Sequence, residues 1–321
     1  MLEIGSPPDF QFAVARTSQS PFPLYETLKQ PYVQKTHNST MKINLPTSQL
    51  EWREYSYSFQ SNQKKLSFDF SIKYEFHSEK RIVKINRSNV LINDEIPDET
   101  LIGNLVFQTS EALFPLTLQI NSFGYLVGII NDSEIVERWK NFIPRFKDYY
   151  DNPRSLNVLN EIGQLYRNPE KLLTSLQKDW FYSTFFFPVY GEYRKDNSAK
   201  LDYPFHSKTY ETELKVNEEQ DQKGKTDVSL FGLVSNNENE KMEGNFLLNS
   251  DRSIHEIKLD FHFSDIQENI NIFIQETKEV AERKSSLNVV FDEKDEKEKF
   301  ENNKSFFVEE LKNDKKLPKH K

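Results

Sequence analysis

The chain predicts an α+β fold: a curved antiparallel sheet, or two sheets, with about four helices inserted mid-chain and packed on one face. Three observations carry this reading. Residues 50–93 alternate apolar and polar with a period of two. Residues 98–187 change to helical spacing, interrupted by one hairpin. Residues 205–276 return to alternation. These blocks make up a core over 49–276. It is preceded by a Pro-rich extended arm over 1–48 and followed by a charged, mobile tail over 277–321.

The arm has prolines at 7, 8, 21, 23, 31 and 46, which disfavour long helices or inner strands. Phe10, Phe12, Phe22, Leu24 and Tyr25 would be costly to leave in water, so the arm is expected to lie across its own domain. Period-two alternation then runs through Tyr55, Tyr57 and Phe59, and again through Leu66, Phe68, Phe70, Ile72, Tyr74 and Phe76. SNQK forms the turn between them, and RIVKINRSNVLIN continues the sheet.

In the middle block, Leu101, Leu105, Val106, Ala112 and Leu113 share a helical stripe, with Asp98 as its N-cap. LTLQI is a strand with Leu116, Leu118 and Ile120 inward. Asn121 to Gly124 turn the chain, Gly124 at positive φ, and YLVGII returns. Asn131 then caps a helix, with Glu134 at the capping-box position. Ile135, Trp139, Phe142, Phe146 and Tyr149 form its apolar face, and Pro144 is expected to kink or restart it. Two more helices open with Asn at the N-cap and Pro at N1: Asn152–Pro153 and Asn168–Pro169. The later strands are HSKTYETELKVN, KTDVSLFGLVSN, a hairpin with NSDRS at its tip, and NINIFIQET.

Composition narrows the function classes. The 321 residues include 26 Phe and 14 Tyr, enough large rings for a substantial core. A net charge of −8 without a long basic run argues against nucleic-acid partners. No apolar run is long enough to span a bilayer. The absence of cysteine excludes disulfides, thiolate catalysis and Cys-ligated metal sites. Together with an N-terminus lacking basic and apolar signal regions, it predicts a cytoplasmic protein, a processed exported form being the alternative.

No metal, cofactor or catalytic site is predicted. The six histidines, His37, His77, His206, His255, His262 and His320, form no HExxH, HxH or HxxxH motif. LDFHFSD places Asp260, His262 and Ser264 on one strand face, but at about 6.6–7 Å spacing, beyond hydrogen-bond reach. That arrangement reads as the polar face of a half-buried strand. The acids Asp94, Glu95, Asp98 and Glu99 suit a helix start. Asp148 and Asp151 suit a helix end and the approach to the next cap. GxGxxG, GxxxxGK[ST] and GxSxG motifs are absent.

WFYSTFFF is the densest apolar feature. Seven residues from Trp180 to Tyr190 are aromatic, and Pro188 ends any helix. The run reads first as core where helices meet the sheet. A hydrophobic ligand or a protein partner could instead be met by Trp180, Phe181, Phe185, Phe186, Phe187 and Trp139. The β–α–β plan is similar, in architecture only, to half-barrel lipoprotein carriers and some secretion chaperones. The leading expectation is a non-enzymatic binding or assembly protein: an accessory, chaperone or scaffold acting through protein contacts. A carrier of a hydrophobic small molecule between sheet and helices is the alternative. An enzyme assembled from distant carboxylates and histidine is the second.

Overall fold

A computed structural model describes residues 41–46, 51–62, 64–76, 80–96, 105, 108–149, 152–194, 196–205, 208–217, 224–234, 237–263 and 268–277. The chain divides into two units, Met1–Thr277 and Lys278–Lys321. Every described residue lies in the first. The expectations for residues 1–40 of the arm, for the tail beyond Thr277, and for Asp98, Leu101 and Val106 lie outside the described residues.

The fold is α+β, built on a curved, wholly antiparallel sheet of 11 strands. Its first half is a meander: β2 (Arg53–Gln60), β3 (Lys65–Phe76), β4 (Arg81–Ile92), β5 (Leu116–Ile120) and β6 (Leu126–Ile129). Its second half is another: β8 (Ser198–Phe205), β9 (Lys208–Asn217), β10 (Thr226–Val234), β11 (Asn237–Leu248), β12 (Ile254–Phe263) and β13 (Glu268–Glu276). The spatial order β6-β5-β4-β3-β2-β13-β12-β11-β10-β9-β8 leaves β6 and β8 as its edges. β13 joins the halves by pairing with β2, Tyr57 opposite Ile274. A separate two-stranded sheet pairs β1 (Met41–Ile43) with β7 (Gly191–Tyr193).

The alternation buries one face. Tyr55, Tyr57, Phe68, Phe70, Ile72 and Tyr74 all lie in the core, as do Leu116, Leu118 and Ile120. Period two alone dictates this, because successive side chains leave a strand on opposite sides. The later strands obey the same rule through Tyr210, Leu214, Val228, Leu230, Phe246, Ile257, Phe261 and Ile272.

Between β6 and β8 run α1 (Asp132–Tyr149), α2 (Pro153–Tyr166), α3 (Pro169–Lys178) and α4 (Trp180–Phe185). Asn152 accepts from the Ser155 N–H and Asn168 from the Lys171 N–H, so both Asn-Pro starts are true caps. α3 ends at Lys178, and Asp179 starts α4 by accepting from the Phe181 and Tyr182 N–H groups. Pro144 lies inside the single helix α1 and does not restart it.

The 121–125 turn forms as expected: Gly124 has φ +85°, and the Asn121 side chain accepts from the N–H groups of Phe123 and Tyr125. Asn131 does something the capping pattern does not predict. Its carbonyl C=O accepts from the Ile135 N–H and starts α1. Its side chain turns to the sheet instead, where Oδ1 accepts from the Thr117 N–H at 2.8 Å and Nδ2 donates to the Pro115 carbonyl at 2.8 Å.

Candidate functional site

The fold buries the aromatic run. Phe181, Phe185, Phe186 and Phe187 are buried and Trp180 is partly so. The Phe181 centroid lies 4.7 Å from that of Phe70 and 5.3 Å from Tyr57, both in edge-on geometry. Phe185 meets Tyr55 and Phe70 edge-on, and Phe187 lies 4.5 Å from Tyr203. Trp180 reaches across the β2–β13 seam to Phe59 and Phe261. Trp139 is fully buried but packs apart, against Gly163 and Tyr166 of α2.

Behind these rings the Arg87 guanidinium is set into the core. It lies 4.7 Å from the Phe114 ring centroid and 5.9 Å from that of Phe68, and it donates to Ser110 Oγ. Burial lowers its pKa from the usual guanidinium value, which still leaves it a cation. Nearby, burial pushes the Asp179 carboxyl up to about 6, against the opposing pull of the Tyr182 and Phe181 N–H groups and of Arg87.

A second polar cluster closes the strand ends around the 249–253 turn. Arg53 donates to Glu276 at 2.6 Å and to Asp251. Asn249 donates to the other Glu276 oxygen at 2.9 Å, and His255 Nδ1 lies 3.2 Å from it. Burial opposes the Arg53 charge, but Glu276 and Asp251 outweigh it and hold its pKa above the usual value. Each group here spans between β2, β12, β13 and the turn, so the cluster staples the sheet's central seam.

Asp260 and His262 share the outward face of β12, as their spacing requires, but they do not meet. Asp260 accepts from Asn271, whereas His262 contacts Asn269 at 2.8 Å and Glu243 at 3.7 Å. Ser264, His37, His77, His206, His320, Glu99 and Asp151 lie outside the described residues, as does the Asp148 side chain. Asp94 pairs with Lys65 at 2.7 Å on the surface. Among the described residues, no three His, Asp or Glu side chains are grouped to hold a metal ion. No helix among them is long and apolar enough to cross a membrane.

The feature best suited to binding is the open edge at β8. The Val216 N–H donates to the Asn197 carbonyl at 2.9 Å. Strand alternation then directs the N–H and C=O groups of Ala199, Leu201 and Tyr203 to β9, and those of Lys200 and Asp202 away from the sheet. Among the described residues, no backbone group meets Lys200 or Asp202 on that side, and both side chains are exposed. The opposite edge is served differently: α3 packs beside β6, and Gln177 donates to the Leu126 carbonyl at 3.0 Å.

Next to the β8 edge, on the sheet's outward face, is a groove of about 440 Å³. Cross-strand register assembles it in two rows: Lys200, Glu213 and Phe231, then Asp202, Glu211 and Leu233. Phe231 is a 46 % exposed ring on its floor. Lys200 is 3.8 Å from Glu213 across the first row. The arrangement can add a strand through the backbone and seat an apolar side chain beside it.

Sequence reading missed this edge because the second strand block was started at 205. A signal was present. SAKLDYPF alternates Ala199, Leu201 and Tyr203 with Lys200 and Asp202, and Pro204 marks a strand that cannot be central. No family model matches the chain, and neither a curated protein nor a solved structure matches it.

Proposed function

We propose that this protein is a non-enzymatic assembly protein that takes up a partner by strand addition at β8. The observation that carries this reading is the outward backbone of Lys200 and Asp202, lying beside the groove around Phe231. An extended segment docked there gains main-chain hydrogen bonds at the edge, and the groove selects its side chains. The exposed Phe231 ring beside the edge favours a segment that presents an apolar side chain on that face.

Proline separates this reading from a merely structural edge. The Asp202 N–H points away from β9, so Asp202→Pro removes a donor for a partner and no bond of the protein's own ladder. The variant is expected to melt within a few degrees of wild type. Short random peptides selected by display on wild type should lose binding to it. On peptide binding, the Lys200 and Asp202 amides should become protected from hydrogen exchange. Selected peptides that bind Asp202→Pro as well as wild type would overturn the reading.

A further inference from the structure

We infer that the partner at this edge is a second copy of the same chain, paired β8 to β8 about a two-fold axis through Leu201. This rests on strand addition at β8 and names what is added. The outward-facing backbone groups belong to the even-numbered residues, so an antiparallel self-pairing must bring even positions opposite even positions. Three such registers pair both Lys200 and Asp202 with residues of β8. Centred on Lys200, the pairing sets two ammonium groups face to face. Centred on Asp202, it sets two carboxylates face to face and puts Pro204, which has no N–H, opposite Lys200.

Only the register centred on Leu201 puts Lys200 of each copy opposite Asp202 of the other. Each of these pairings exchanges both main-chain hydrogen bonds, and the two-fold axis supplies it twice. Both charged side chains emerge on the outward face, where Lys200 then stands between its own Glu213 and Asp202 of the second copy. At the axis the two Leu201 residues form a non-hydrogen-bonded pair, the class in which side chains approach most closely. The neighbouring positions limit the zipper. The Ser198 N–H already donates to Asp196, and its C=O already accepts from the Arg194 N–H. Pro204 has no donor to offer in return. Self-pairing is thus confined to the Lys200–Asp202 stretch, where the charges are complementary. The 11-stranded sheet continues into that of the second copy.

The test is a charge swap read by sedimentation velocity on the full chain across a concentration series. Wild type should show a concentration-dependent dimer. Lys200→Asp and Asp202→Lys each convert both opposite-charge pairs into like-charge pairs, so each should dimerise about tenfold more weakly or worse. An equimolar mixture of the two variants restores opposite charges at both positions and should dimerise as heterodimer, whereas neither variant does so alone. Circular dichroism melts close to wild type show that each variant is folded.

A wild-type chain that stays monomeric throughout the series overturns the inference, and so does a dimer indifferent to both swaps. Neither result bears on peptide capture by wild type against Asp202→Pro, which judges strand addition separately.

Discussion

Gly163 of α2 faces the Trp139 indole of α1, and replacing it with alanine tests how firmly that ring is held. A Cβ at position 163 would stand 2.7 Å from Trp139 Nε1 and 3.4 Å from its Cε2. Comfortable contact needs about 3.5–4.0 Å, so the ring or helix must yield by roughly 1 Å. The indole is 0 % exposed and stands edge-on to Tyr166, with centroids 5.3 Å apart, so it has little room to move. Overpacking of this kind costs about 1–3 kcal/mol, against a gain of about 1 kcal/mol from replacing a mid-helix glycine. The net expectation is a loss of about 1 kcal/mol.

Trp139→Phe changes that sign. The smaller ring lacks the Nε1 edge that faces Gly163, and it also removes a buried N–H that has no hydrogen-bond partner among the described residues. In that background Gly163→Ala should be neutral or stabilising by about 1 kcal/mol. Urea melts of wild type, both single variants and the double variant complete the cycle, with an expected coupling of about 1–2 kcal/mol. Additivity within about 0.5 kcal/mol would show that the indole is free to shift and would refute the reasoning.

Two further predictions follow from the same packing. Asn131→Ala removes the side-chain acceptor of the Thr117 N–H and one of the two donors to the Pro115 carbonyl, while keeping the backbone carbonyl that starts α1, so thermal melts should show a loss of about 2 kcal/mol. A loss of 1 kcal/mol or less would mean that the tie between β5 and α1 contributes nothing. Asp179 holds its proton more tightly folded than unfolded, so its contribution to stability is greatest below about pH 4 and falls as pH rises to about 6. Asp179→Asn keeps a capping oxygen but has no such dependence, and its melting temperature should gain on wild type as pH rises from 4 to 6, by up to about 2–3 kcal/mol in stability. A constant difference across that window would show that the carboxyl titrates at its ordinary value.

Much of this protein can be read locally. The alternation through Tyr55–Phe59 and Leu66–Phe76 assigns β2 and β3, because side chains leave a strand on alternate sides whatever the strand pairs with. Asn152–Pro153 and Asn168–Pro169 mark helix starts because the cap and the proline act within one turn. Asp260 and His262 share a face for the same local reason. What they touch is not local: Asn271, Asn269 and Glu243 are supplied by neighbouring strands whose order no short window encodes.

The same limit hides the edge and the seam. β13 pairs with β2 across most of the chain, and that choice turns two meanders into one sheet. Asn131 looks like a cap because its neighbours in sequence are a helix, yet its side chain serves a strand that folds back beside it. The groove joins Lys200, Glu213 and Phe231 only because register brings three strands together. Lys200 and Asp202 present their backbone outward only because β8 comes last in the spatial order. Periodicity belongs to the backbone and is written into every short stretch. Which strand ends without a neighbour is settled by the packing of the whole sheet, and there tertiary structure alone decides what is left to bind.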